Sequence, residues 1–216
     1  MLVDTILGRK ENGVFVESGA YNGVSLSNSL FLEATRNWTG LLIEANPYLY
    51  NQIVQSSNRK CDVINACLSP TSRPGVLPFR LAGPIGGLVS QFSRDHVQRI
   101  DKEKKQNEGW MTGEEGSTND VNVPCWPLDM IVEAWGHRTI DYWSLDTEGS
   151  EASILGATDF TKVDVKVLTV EVNDKKSEDA VLEAMKDAPY RLHSKVDIDL
   201  VFVKHGVEVA VPHGFG

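Results

Sequence analysis

The sequence predicts an α/β protein: a doubly wound, mostly parallel sheet with helices on both faces and a C-terminal antiparallel hairpin. Three observations predict it. Short apolar runs of strand length alternate with helical patterns through the first 70 residues. The same alternation resumes after an interruption at about 83–122. The residues that close each apolar run are polar or glycine, and sheets of this class hold their ligands beyond the carboxyl ends of the strands. The 216 residues are read as one domain spanning 1–216, with the interruption as an insertion.

The elements follow in order. Gly13–Glu17 is an apolar run that stops at Ser18-Gly19-Ala20-Tyr21-Asn22-Gly23, and a helical pattern then carries Leu26, Leu30 and Phe31. Trp38–Ile43 is a second strand ending in Glu44; Asn46-Pro47 starts the next helix, with Asn as N-cap and Pro at the first helical position. Val63–Leu68 reads as a third strand. The insertion has a glycine-rich entry at Gly83, Gly86 and Gly87, a polar helical stretch at Ser93–Gln106, and a Gly/Glu/Ser/Thr tract through Asp120. A loop of that length usually carries function, and Gly83–Ser90 is read as a segment able to close over a substrate. Leu128–Trp135 is helical, Ile140–Leu145 is a strand ending in Asp146, a helix begins near Ser150, and Val165–Val172 is a strand. After a charged helix around Glu178–Lys186, Asp197–Lys204 and Val207–Val211 are expected to pair across a His205-Gly206 turn.

Composition narrows the function. Asp plus Glu number 30 against 21 Lys plus Arg, a formal charge of −9 with histidine neutral. That acidity offers no general attraction for phosphate backbones, and no basic and aromatic groove is evident, so no nucleic-acid partner is expected. No apolar run reaches the roughly 18–20 residues of a membrane span. Cys61, Cys67 and Cys125 form no CxxC pattern; they read as buried small residues in a reducing, cytoplasmic setting rather than as a disulfide framework or a zinc site. Trp126, Trp135 and Trp143 read as core.

The polar strand ends are the candidate site: Glu17–Gly23, Glu44–Asn46, Asn65–Ser69, Asp146–Glu151 and Glu171–Asp174. Gly19 and Gly23 let backbone approach a ligand, and Glu44 is placed to accept two ribose hydroxyls, which points to a nucleoside-containing ligand. A dinucleotide would want G-x-G-x-x-G with the pyrophosphate at a helix N-terminus. Here Glu17 stands just before the loop, and residues 11–35 contain no Lys or Arg. Repulsion disfavours a pyrophosphate there, whereas a ligand bearing an ammonium and a sulfonium, S-adenosylmethionine, suits the charge.

Three segments together resemble the successive motifs of FkbM-type methyltransferases: Val14–Gly23, Leu42–Pro47 and Ile140–Glu151, the last containing Asp146-Thr147-Glu148-Gly149-Ser150-Glu151. The resemblance runs from about Gly13 to Val203 outside the insertion, and the fuller motifs look closer to a eukaryotic branch than to bacterial members. It implies a class I, Rossmann-like methyltransferase fold, S-adenosylmethionine as cofactor and O-methylation of a hydroxyl. It also implies that Glu17, Gly19 and Gly23 surround the methionine part, that Glu44 takes the ribose, that Ala66 and Cys67 lie by the adenine, and that Asp146 faces the methyl-transfer site; Ser18, Ala20, Tyr21 and Ala45 are further expected cofactor contacts.

A hydroxyl acceptor must lose a proton. Asp146, Glu148, Glu151 and Glu171 are the available carboxylates; Glu151 is also explained as a carboxylate at a helix N-terminus. In one arrangement no metal is present and Asp146 is the general base, with Glu148 and Glu171 beside it. In the other, Asp146, Glu148 and Glu171 hold Mg²⁺ or Ca²⁺, which suit hard oxygen ligands. His96 and His193 are further candidate bases. The expected partner is a small-molecule, sugar or lipid hydroxyl. The competing readings are a non-catalytic interaction module for trafficking or adaptor work and an NAD-dependent oxidoreductase; the intact Glu17, Gly19, Gly23 and Glu44 weigh against the first and the acidic loop against the second.

Overall fold

A computed structural model describes residues 2–56, 58–106 and 120–210. Its centre is a seven-stranded sheet. The strands are β1 (Val14–Ser18), β2 (Thr39–Glu44), β3 (Asp62–Asn65), β8 (Thr139–Leu145), β9 (Asp164–Glu171), β10 (Tyr190–Val196) and β11 (Asp199–Lys204). They lie in the order β10-β11-β9-β8-β1-β2-β3. The five strands from β3 to β9 run parallel, as strands joined by helical crossovers must, and β11 pairs antiparallel with both β9 and β10.

Each crossover is readable in its residues. Helix α2 (Leu30–Arg36) ends at Asn37, a left-handed C-cap at φ 54°. Helix α3 (Pro47–Ser56) opens with the Asn46 side chain accepting from the Tyr48 N–H at 3.0 Å. Helix α7 (Lys175–Met185) begins with a capping box between Asp174 and Ser177. The remaining covering helices are α1 (Leu2–Ile6), α5 (Leu128–Trp135) and α6 (Glu151–Ala157).

Alternation along the strands supplies two cores. Phe15 and Leu42 pack with Val3, Ile6, Leu32 and Ile53 of α1, α2 and α3. Val16, Leu41 and Ile43 face the other way, toward Leu128, Ile154 and Val181 of α5, α6 and α7. Trp143 is fully buried as expected. Each such apolar side chain contributes about 1.5–3 kcal/mol through burial. Register aligns the strand ends: Ser18 pairs with Ile43 and Leu145, Glu44 with Asn65, and Leu145 with Val170. All five carboxyl ends therefore meet on one rim.

Four expectations are corrected. The third strand divides at Ala66: β3 stays in the main sheet, while β4 (Cys67–Leu68) joins a second sheet of order β4-β7-β5-β6, with β5 (Gly75–Arg80), β6 (Gly87–Leu88) and β7 (Asp120–Trp126). That sheet draws on residues from Cys67 to Trp126, so it begins before the expected insertion at 83–122 and ends after it; helix α4 (Arg94–Gln106) lies within it, and the tract at 107–119 lies outside the described residues. The terminal hairpin is β10–β11, not 197–204 with 207–211. Val196 pairs with Asp199, and Asp197, at φ 53°, makes the tight turn. The chain after Gly206 instead returns to α1 through an Ala210 N–H to Ile6 O bond of 3.1 Å, and Val211 lies outside the described residues. Leu26 is not helical: it sits in the loop before α2 at φ 62° and is 82% exposed. Trp126 is 41% exposed rather than core.

Candidate active site

One cleft opens over the strand rim, and its first wall is the loop after β1. Gly19 takes φ +83°, and a Cβ there would collide with the Asp146 carbonyl oxygen. Glycine is thus required where the β1 and β8 ends touch, which the Asp146 N–H to Ser18 O bond of 3.1 Å confirms. Ser18, Ala20 and Tyr21 line the cleft. The Ser18 hydroxyl accepts from the Trp143 indole N–H at 3.0 Å. Gly23 does not line the cleft; it stands behind the loop against Ile53 and Arg59.

Glu17 also lines the cleft, but its oxygens are taken by the loop itself. Oε1 accepts from the Asn28 N–H at 2.9 Å, and Oε2 accepts from the Ser27 hydroxyl at 2.8 Å and from the Ser29 hydroxyl. Arg59, from the α3–β3 turn, approaches Glu17 Oε2 to 3.7 Å. The absence of Lys and Arg from residues 11–35 therefore does not leave Glu17 as a bare charge. Glu17 braces the loop, and Arg59, a residue distant in sequence, approaches it from behind.

Glu44 is different. It is 5% exposed, Oε2 accepts from the Tyr21 N–H at 2.8 Å and Oε1 from the Asn46 N–H at 2.7 Å. Each oxygen keeps a lone pair, and Glu44 lines the cleft, so the carboxylate is set to receive two hydroxyl donors. Burial pushes its pKa up to about 7. Beyond it, Ala45, Ala66 and Cys67 line the cleft together with Phe79 of β5 and Leu88 of β6, so the second sheet supplies part of an apolar wall.

Cys67, in that wall, is disulfide-paired with Cys125, its facing residue on β7. This corrects the reading of both as unpaired, and with it the cysteine argument for a reducing compartment. Two positions 58 apart come together only through the second sheet. Cys61 is free, and burial pushes its thiol up to about 12.

The opposite wall is acidic. Asp146, Glu148 and Glu171 each place a carboxylate oxygen so that all lie within 4.8 Å of one another. Burial and the Glu171 and Glu148 charges hold the Asp146 carboxyl well above its ordinary range, and burial with Glu171 pushes Glu148 up to about 8. Glu148 Oε2 has no hydrogen-bond partner among the described residues; Arg99 Nη1 approaches it to 3.5 Å and the His96 ring Nδ1 to 3.8 Å. Hard oxygen donors at this spacing suit Mg²⁺ or Ca²⁺. Glu151 plays another part: it accepts from the Thr147 N–H at 2.7 Å, the Thr147 hydroxyl at 2.9 Å and the Gly149 N–H at 3.0 Å, and so shapes the loop that presents Asp146 and Glu148.

His96 of α4 is the insertion's link to this wall. Its Nε2 meets the Ile85 carbonyl at 3.0 Å, and its ring stacks on Phe92. Burial lowers its pKa. His193, by contrast, is exposed on the edge strand β10 and does not line the cleft. Of the residues singled out in the sequence, Glu17–Tyr21, Glu44, Ala45, Ala66, Cys67, Asp146, Glu148 and Glu171 share the cleft wall, and Gly23, Glu151, His96 and His193 do not. Sequence reasoning missed Asn28, whose side-chain amide donates to the Ser144 hydroxyl at 3.1 Å, and the contributions of Phe79, Leu88 and Arg59.

Solved structures with a similar chain trace are methyltransferases. Precorrin-6y C5,15-methyltransferase from Geobacter metallireducens is 11% identical, at TM-score 0.47, covering 93% of this chain and 83% of that one. A methyltransferase from Pyrococcus furiosus is 13% identical, at TM-score 0.44, covering 94% and 79%. A SAM-dependent methyltransferase from Aquifex aeolicus is 14% identical, at TM-score 0.37, covering 93% and 86%. No curated protein matches the chain in sequence. The model of the methyltransferase FkbM domain matches residues 17–192, which contain the glycine loop, Glu44 and the whole acidic wall. The sheet with its antiparallel β11 is that of a class I methyltransferase, and the chain belongs to the FkbM methyltransferase family.

Proposed function

We propose that the chain is an O-methyltransferase that moves a methyl group from S-adenosylmethionine to a hydroxyl of a small molecule, sugar or lipid. The observation that carries this reading is the convergence of Asp146, Glu148 and Glu171 on the same cleft as Glu44 and the glycine loop. S-adenosylmethionine supplies an electrophilic methyl on a sulfonium. The chain's own residues bind and orient. Glu44 accepts the ribose hydroxyls, the wall of Ala45, Ala66, Cys67 and Phe79 takes the adenine, and the loop from Ser18 to Tyr21 faces the methionine part. With the reacting atoms in line, much of the acceleration comes from positioning.

Asp146 accepts the acceptor's hydroxyl proton as the oxygen–methyl bond forms and the sulfur–methyl bond breaks. Burial and two neighbouring carboxyls raise its proton affinity, in the direction a proton acceptor needs. The proximity of the three carboxylates favours a second arrangement of the same reaction, in which they hold Mg²⁺ or Ca²⁺. The test is transfer of radiolabelled methyl to a panel of sugars, lipids and small alcohols, with and without EDTA. Alkali-stable product indifferent to EDTA supports the base; activity lost to EDTA and restored by Mg²⁺ moves the role to the metal. Label appearing only on amines would contradict O-methylation.

A further inference from the structure

A heavily bonded buried side chain stands behind the cleft without lining it. Arg59 lies in the turn between α3 and β3, outside each of the motifs, with its side chain 2% exposed. Nη1 donates to the Gly23 carbonyl at 2.7 Å and to the Ser27 hydroxyl at 3.0 Å. Nη2 donates to the Ser29 hydroxyl at 2.7 Å, and Nε donates to Glu33 Oε2 at 2.8 Å. The guanidinium carbon sits 5.5 Å from the centre of the Phe15 ring. A planar fork of five donors can hold this set of acceptors at once; a lysine ammonium cannot.

These partners are the hinges of the glycine loop. Gly23, at φ +76°, turns the chain back after Tyr21, and its carbonyl direction decides where the Tyr21 and Ser25 side of the loop lies. Ser27 and Ser29 are the same hydroxyls that donate to Glu17 at the end of β1. Arg59 therefore joins the far end of the loop to its near end. It also approaches the Glu17 carboxylate to 3.7 Å while pairing with Glu33 at 2.8 Å. Tyr21 in turn donates to Glu44, so the loop position sets one of the two bonds that orient the ribose carboxylate.

We propose that Arg59 is a positioning residue for the cofactor: its guanidinium holds the loop from Gly19 to Ser29 in the shape that receives S-adenosylmethionine, from behind and without touching it. The inference rests on the cofactor reading above. An arginine that only stabilised the fold would change melting temperature and leave the affinity of the folded protein alone. A positioning arginine changes affinity in protein that is fully folded.

The experiment is calorimetric titration with S-adenosylhomocysteine of the wild type, Arg59→Lys and Arg59→Ala, at a temperature where circular dichroism shows each to be folded. The alanine variant is titrated with and without millimolar guanidinium chloride. Expected is binding by the wild type, a weakening of about ten- to a hundredfold in both variants, and partial recovery of the alanine variant by guanidinium. Wild-type affinity in folded Arg59→Lys would overturn the positioning role. So would weakened binding by Arg59→Ala that guanidinium leaves unchanged while Arg59→Lys binds normally. If Arg59→Ala does not fold, the lysine variant alone decides. Absence of binding by the wild type would instead overturn the cofactor reading.

Discussion

The two walls of the cleft treat their carboxylates in opposite ways. On the β1–β2 side, Glu17 and Glu44 each accept at least two hydrogen bonds from the chain itself. On the β8–β9 side, Asp146, Glu148 and Glu171 face one another, and burial with mutual repulsion raises the first two. The first wall is preorganised: its geometry is complete before a ligand arrives. The second holds unspent electrostatic strain, which a proton, a cation or a reacting hydroxyl relieves. The two walls thereby place the same residue types in different environments.

Substitutions can break that contrast, and the largest effects belong to the reacting wall. Asp146→Asn keeps the shape and removes the base; turnover is expected to fall by about 10²–10⁴-fold, with S-adenosylhomocysteine affinity changed little. Retained turnover with a genuine acceptor would end the base assignment. Gly19→Ala forces a Cβ into the Asp146 carbonyl at a positive φ. Loss of measurable cofactor binding and a melting temperature lower by several degrees are expected, a cost of about 2 kcal/mol or more; a calorimetric trace like that of the wild type would show that the two strand ends can separate harmlessly.

On the preorganised wall the effects are smaller. Glu44→Ala is expected to weaken the cofactor by about 1–3 kcal/mol, read as a change in Kd. The smallest effect is one of pH. The Glu44 carboxyl is raised from 4.5 to about 7 by burial, so the fold favours its neutral form. Its contribution to stability is present below about pH 4.5 and is lost as pH rises through about 7. Ribose hydroxyls favour the ionised form, so binding should release a proton and tighten by up to about tenfold between pH 6 and pH 8. Titrations in buffers of different ionisation enthalpy report the proton directly, and the Glu44→Gln variant should lose that pH dependence.

Much of this cleft was legible because its residues sit where strands end. Gly19, Glu44 and Asp146 each close an apolar run, and a parallel sheet brings all such ends to one rim, so their convergence follows from periodicity alone. What could not be read came from sequence-distant partners. Arg59 reaches Glu17 across 42 positions, and nothing local to either marks the pair. Cys67 and Cys125 looked isolated because the pairing of β4 with β7 is a property of the second sheet. Phe79 and Leu88 lie in a segment whose strands are short and partly polar, a pattern that resembles a loop. The terminal hairpin was displaced by one strand: the polar, mostly exposed β10 has a weaker apolar signal than the valines after Gly206, and the turn at Asp197 lacks the glycine that would have announced it.

The central claim is that this cleft receives an adenosyl sulfonium ligand rather than a dinucleotide. Calorimetric titration of the wild-type chain with S-adenosylmethionine and S-adenosylhomocysteine, with NAD as control, tests it most directly. Micromolar, one-to-one binding of both adenosyl ligands, none of NAD, and loss of affinity in Glu44→Ala are the predicted result. Tight binding of NAD, or no binding of either adenosyl ligand by folded protein, would contradict it.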